Sequence, residues 1–168
     1  MRLLVLFAML CAGCAANGAP ASCPAESIRA AIDFEIRKGV EATIEEDIDA
    51  YMDGVPDDYR IVEDDGSVTD KAALREHALR SWAVIDRTID LKISIDSIAV
   101  GPPCDEAVVM TSQRWERIMR RRDDSGADTV LTTQKHEERW RLKGGRWFNY
   151  EIIELGGEIF INGEPYAP

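Results

Sequence analysis

Apolar positions change their period once along this chain. Between residues 28 and 82 they recur at helical intervals. Ile28, Ala31, Ile32 and Ile36 mark one face, Ile44, Ile48 and Tyr51 a second, and Leu74, Ala78 and Trp82 a third. From residue 89 onward the period becomes two, as in Leu91, Ile93 and Ile95. Pro24 and Glu26 suit the first turn of the first helix, and Gly39 is expected to end or interrupt it. Thr43-Ile-Glu-Glu46 reads as a capping box that opens a second helix, which Gly54 and Pro56 stop. A short strand over 59–62 leads to a turn at Asp64-Asp65-Gly66, and a third helix is predicted over 71–82. Strands follow over 89–100, 107–121, 129–142 and 147–154. They are separated by Gly101-Pro102-Pro103, by Asp123-Asp124-Ser125-Gly126 and by the hairpin signal Lys143-Gly144-Gly145-Arg146. Asn162-Gly163 marks a small hairpin in the tail. Helices before a long antiparallel meander give an α+β class.

The first residues, MRLLVLFAML, form an apolar run too short to cross a bilayer but of the length of a signal-peptide core. Ala12-Gly13-Cys14 follows at once. This resembles the bacterial lipobox, whose Cys thiol is acylated as the bond before it is cut; Cys11 stands where that motif usually has Leu. The alternative is plain secretion, with cleavage after Ala19-Pro20-Ala21. Either way the Cys11-Ala-Gly-Cys14 pair is an address rather than a redox centre, because no βαβ pattern adjoins it. The chain therefore divides into a signal peptide (1–13), a tether (14–22), one domain (23–158) and a tail (159–168). The expected location is the extracytoplasmic side of a bacterial envelope, lipid-anchored, with soluble periplasmic secretion as the alternative. If the cell is Gram-negative, Ala15 after the lipidated Cys suits the outer membrane. Export leaves Cys23 and Cys104 in the domain, and an oxidising compartment favours pairing them.

Charge narrows the partners. Twenty Lys and Arg against 31 Asp and Glu give a formal net charge of −11, which repels phosphate backbones and anionic headgroups. Nucleic acid is not an expected partner, and membrane contact is expected through the anchor alone. The two histidines, His77 and His136, have no metal-ligand spacing, and no nucleophile elbow or phosphate-binding glycine loop is present. No metal or cofactor is expected. His77, beside Leu74 on its helix, reads as a partly buried structural residue.

Two stretches, EEDIDAYMDGVPDDYRIVEDDGSVTDKAALREH (residues 45–77) and HEERWRLKGGRW (residues 136–147), resemble the nuclear transport factor 2-like superfamily, with its polyketide-cyclase-like and ketosteroid-isomerase-like branches. The resemblance implies a strongly bent antiparallel sheet wrapped as a cone around three helices, a pocket inside it, and dimers through the sheet. In the isomerase branch a base Asp lies in a Val-Glu-Asp stretch, which implies Asp64. Its second catalytic Asp falls on His136, and its helix-one Tyr has no counterpart here.

Counting back from the Gly-Gly turn places Leu142 opposite Trp147, Trp140 opposite Asn149, Glu138 opposite Glu151 and His136 opposite Ile153. The inner set is then His136, Glu138, Trp140, Trp147, Asn149 and Glu151, with Gln113, Trp115 and Arg117 from the preceding strand and Tyr51 from the second helix. That is an apolar wall with a few polar groups, the composition of a ligand pocket. Two facing glutamates there leave one with a raised pKa, as a general acid requires, unless Arg117 neutralises both. Three functions remain open. The chain is a binder of a small, partly apolar molecule, or an acid–base enzyme using Asp64, His136 and the glutamate pair, or a dimeric interaction module with Phe148, Tyr150 and Ile152 as its outer patch.

Overall fold

The computed structural model describes residues 23–63, 65–121, 123 and 125–166. The predicted signal peptide, Cys14 with the predicted tether, and Asp64 lie outside the described residues.

Helix α1 runs unbroken over Ala25–Ile44 and buries Ile28, Ile32, Ile36 and Ala42. Gly39 does not interrupt it. A glycine costs a helix interior about 1 kcal/mol, which the isoleucine face outweighs, and nothing lies within 4 Å of where its Cβ would stand. Nor does the capping box form. Thr43 donates its hydroxyl to the Gly39 carbonyl at 2.8 Å within the last turn of α1, and the chain leaves through Glu46 at a φ of 56°. Helix α2 (Ile48–Asp53) starts instead at Asp47, whose carboxylate accepts from the Asp49 and Ala50 amides at 3.1 and 3.0 Å. Strand β1 (Arg60–Val62) pairs with β2 (Val68–Asp70), which sequence periodicity did not reveal because it is only 3 residues long. Asp70 then caps α3 (Lys71–Trp82) by accepting from the Ala73 amide at 2.9 Å, and α3 has the limits its pattern predicted.

Four long strands follow: β3 (Ile85–Gly101), β4 (Glu106–Arg120), β5 (Ala127–Lys143) and β6 (Arg146–Ile161). Asn162 and Gly163, both at positive φ, turn β6 into β7 (Glu164–Pro165) as the dipeptide predicted. The sheet order is β2-β1-β6-β5-β4-β3, with β7 added to β6. One pair departs from the antiparallel expectation: β1 runs parallel to β6, Ile61 beside Ile152. β1 enters the sheet from α2, not through a hairpin with β6, so nothing forces it to run antiparallel.

Leu142 faces Trp147 and Trp140 faces Asn149, as the turn requires. Beyond them the predicted register fails. Arg139 pairs with Glu151, so Tyr150 is an extra residue in β6, and every later partner moves by one. Glu138 faces Ile152 instead of Glu151, and His136 faces Glu154 instead of Ile153. A second shift separates His136–Glu154 from Gln134–Gly157. Three further shifts interrupt the β3–β4 ladder. Each adds local twist, and together they curve the sheet around α1.

Two buried clusters form in the concavity. Ile28, Ile32 and Ile36 of α1 pack on Ile95, Ala107, Val109, Trp140 and Trp147. Ala78, Trp82 and Ile85 form the other, with Ile48, Tyr51, Trp115 and Met119 against it. A disulfide joins Cys23 to Cys104 across 81 residues, tying the start of α1 to the β3–β4 turn as expected. Closing a loop of that length contributes about 4–5 kcal/mol in the chain-entropy model.

The second register shift depends on a glycine. A Cβ at Gly157 would stand 2.1 Å from the Thr133 carbonyl oxygen, which is backbone and cannot swing aside. Gly157→Ala is expected to destabilise the fold by about 2–3 kcal/mol, read as a lower denaturant midpoint. An unchanged midpoint would mean that β5 and β6 separate there without loss.

Candidate functional site

The two clusters do not close on each other. Between them lies a cavity of about 310 Å³, bounded by Ile36 and Val40 of α1, Tyr51 of α2, Leu74, Ala78 and Trp82 of α3, and the inner faces of the sheet. All four tryptophans of the chain, Trp82, Trp115, Trp140 and Trp147, line it. Tyr51 meets the Trp82 ring edge-on, with centroids 5.6 Å apart. The size and the mostly apolar wall are those of a small-molecule pocket.

The inner face of β5 carries the polar groups. His136, Glu138 and Trp140 are buried there at 8%, 5% and 5% exposure, as period two requires. Glu138 is fixed by three neutral donors. Its Oε1 accepts from the Thr111 hydroxyl at 2.7 Å, and its Oε2 accepts from the Trp140 indole and the Asn149 amide, each at 2.8 Å. Burial pushes its carboxyl above the ordinary carboxylate range, and these three bonds pull the other way. Burial also pushes the His136 imidazole down. Tyr59, 7% exposed, borders the same space. Burial first, then the charges of Tyr51, Glu138, Glu63 and Glu154, holds its phenol well above the usual range. A second polar run crosses the floor: Gln113 donates to Gln134 at 3.0 Å, and Gln134 donates to Glu154 at 3.1 Å. The Asn149 Oδ1 is buried and accepts no hydrogen bond among the described residues.

Of the residues predicted for the pocket, Tyr51, Trp115, His136, Glu138, Trp140 and Asn149 line the cavity. Arg117 and Glu151 do not. Arg117 stacks on Trp115, 4.2 Å from the ring centre, and donates to Thr132 at 3.0 Å. It pairs with Val130, whereas Glu138 pairs with Val109 much farther along β4, so the guanidinium does not neutralise that carboxylate. The extra residue at Tyr150 turns Glu151 to the outer face. There it is 3% exposed between Arg60 and Arg139, with the Arg139 Nε 3.1 Å from its Oε2. That contact is close enough for an ion pair but too poorly angled for a hydrogen bond, since both atoms lack a hydrogen-bond partner. The same shift carries Ile152 inward to the cavity, so it does not belong to an outer patch. Phe148 and Tyr150 remain outside, each under a guanidinium, Arg146 at 4.9 Å and Arg141 at 4.2 Å.

Tyr59, Gln134 and Glu154 were not expected here. Gln134 carried a signal, because it shares the period-two face of His136 and Glu138, whereas Glu154 enters only through the shifted register. His77 is exposed, not partly buried, and borders the cavity from α3. Among the described residues no three His, Cys, Asp or Glu side chains gather as a metal site would require. No described helix is long and apolar enough to cross a membrane.

Glu138 gives the site a pH signature. Its pKa is raised in the folded chain, so its contribution to stability is complete below the unfolded value of about 4.3 and is lost as pH rises through the folded value. Gln matches the protonated acid in shape and in hydrogen bonding. The thermal midpoint of Glu138→Gln, relative to the native chain, is therefore expected to climb from pH 4 upward and then level off. A constant difference between pH 4 and 7 would show that Glu138 titrates as an ordinary carboxylate.

The sequence matches no protein-family model and no curated protein. Solved structures do match. A conserved protein from Planctomyces limnophilus is 13% identical with a TM-score of 0.64, covering 81% of this chain and 98% of its own. A hexachlorocyclohexane dehydrochlorinase (LinA) type 2 is 11% identical with a TM-score of 0.63, covering 86% and 95%. An NTF2-like protein from Cytophaga hutchinsonii is 17% identical with a TM-score of 0.57, covering 75% and 95%. With the bent sheet, the helices in its concavity and the cavity between them, these likenesses establish that the chain has the nuclear transport factor 2-like fold.

Proposed function

We propose that this domain holds a small, partly apolar molecule in its cavity, on the extracytoplasmic side of a bacterial membrane to which an acylated Cys14 anchors it. The observation that carries the binding half is the unfilled space of about 310 Å³ between two packed clusters. A chain that needed only a core would close it, since a cavity this large forfeits dispersion contacts all around its wall. Polar groups fixed by Thr111, Trp140 and Asn149 give that wall a defined orientation for a guest. A neighbour in fold named for acting on hexachlorocyclohexane supports a small-molecule cavity on this scaffold. The Cys23–Cys104 bond supports export, because disulfides persist outside the reducing cytosol.

One observation favours a second reading, acid–base catalysis. Glu138 and His136 stand on one face of β5 at the cavity wall, and burial favours the neutral form of each, an acid able to give a proton and an imidazole able to take one. In that reading Glu138 and His136 do the chemistry, and the ligand leaves altered.

Two measurements check these proposals. A native mass spectrum of residues 22–168, purified gently from a periplasm, is expected to show a mass above the polypeptide that vanishes on denaturation. A bare monomer mass would count against a tightly held ligand, and a bare dimer would favour the interaction module. For the anchor, radiolabelled palmitate is expected to enter the full-length chain and not Cys14→Ser, which would become soluble. Label in both would place the lipid elsewhere, and label in neither would favour plain secretion.

A further inference from the structure

The partners of Glu138 point to the charge of the guest. Every group bonded to it is a neutral donor: a hydroxyl, an indole and an amide. Among the described residues no arginine or lysine bonds to it. The two cations on the cavity wall, Arg146 and Lys38, are taken up at the rim. Arg146 bonds Glu35 at 3.0 Å and Asp53 at 2.7 Å, and Lys38 lies 3.6 Å from Glu35. Arg117 is committed to Trp115 and Thr132. His136, on the same strand face, is kept toward its neutral form by burial. The interior therefore has a carboxylate with no counter-charge of its own.

Desolvating a lone carboxylate is costly unless a cation accompanies it, and three neutral hydrogen bonds offset only part of that cost. The rest of the wall also favours a cation. Four tryptophans and two tyrosines surround the space, and aromatic faces attract ammonium groups. Glu154 stands diagonally across the ladder from Glu138, and the Asn149 Oδ1 adds a buried acceptor without a donor among the described residues. A net charge of −11 draws cations toward the domain and repels anions. Glu138 accepts three hydrogen bonds of about four that a carboxylate can take, so one place remains for a donor from the guest.

We infer that the cavity selects a protonated amine on an apolar body, its ammonium directed to Glu138 and its body against the tryptophans. This rests on the binding reading above and names the class of the ligand.

Three probes with the same phenylethyl body test it at pH 7: 2-phenylethylamine, 2-phenylethanol and 3-phenylpropionate, one cationic, one neutral and one anionic. Because all four tryptophans line the cavity, intrinsic fluorescence reports its occupancy. The amine is expected to bind at least about tenfold more tightly than the alcohol, and the acid most weakly. In Glu138→Gln the amine is expected to weaken about tenfold while the alcohol changes less than about twofold. Equal binding of amine and alcohol, a preference for the acid, or an amine preference that survives Glu138→Gln would overturn the inference and leave a binding cavity standing. Fluorescence unmoved by all three probes would overturn the binding reading together with it. The ranking on the native chain decides the matter even if the variant does not fold.

Discussion

The extra residue that β6 carries at Tyr150 governs both faces of the sheet. Before it, Trp147 and Asn149 point into the concavity; after it, Ile152 and Glu154 do. Without the shift, Glu151 would stand inside, opposite Glu138, and two buried carboxylates would share one apolar space. With it, Glu151 lies outside between Arg60 and Arg139. Arg60 belongs to β1, so the same displaced carboxylate helps to dock β1 against β6. That docking brings Tyr59 and Ile61 to the cavity wall. One inserted residue thus replaces a carboxylate directly opposite Glu138 by Glu154, set diagonally from it, and supplies part of the lining.

What remains inside is an economy of polar groups. Thr111, Trp140 and Asn149 come from three strands and converge on a single carboxylate. Their geometry holds Glu138 still, which matters for either reading, because a mobile acid neither orients a guest nor times a proton transfer. Trp140 serves twice, as apolar wall and as donor. The rim behaves differently. Arg146, Glu35, Asp53 and Lys38 neutralise one another near solvent, where such pairs contribute little to stability but exclude their cations from the interior.

Much of this was legible in the residues. The limits of α3, the turns at Gly144-Gly145 and Asn162-Gly163, and the disulfide follow from periodicity, turn chemistry and compartment. So does the inward face of β5, since alternation fixes it once the hairpin is anchored. The rest was hidden for identifiable reasons. Gly39 and Thr43 are locally ambiguous, and tertiary burial of the isoleucine face decided for one continuous helix. A bulge has no reliable local signature, so Glu151 and Ile152 were assigned to the wrong faces and Glu154 was missed. Arg117 shares a strand face with Trp115 but not its depth, because alternation tells which side a residue takes and not how far along the cone it lies.

The parallel pairing of β1 with β6 has a consequence for how the chain is made. Arg60 must wait for Glu151, Cys23 for Cys104, and α1 for both β3 and β6. The early elements meet one another only over short stretches, β1 with β2 and α1 with α2, and their larger partners arrive with β3 and β6. Contacts so distant in sequence form slowly, because loop closure must precede them. Assembly is complete only when the final long strand gives β1 its parallel partner and Arg60 its carboxylate.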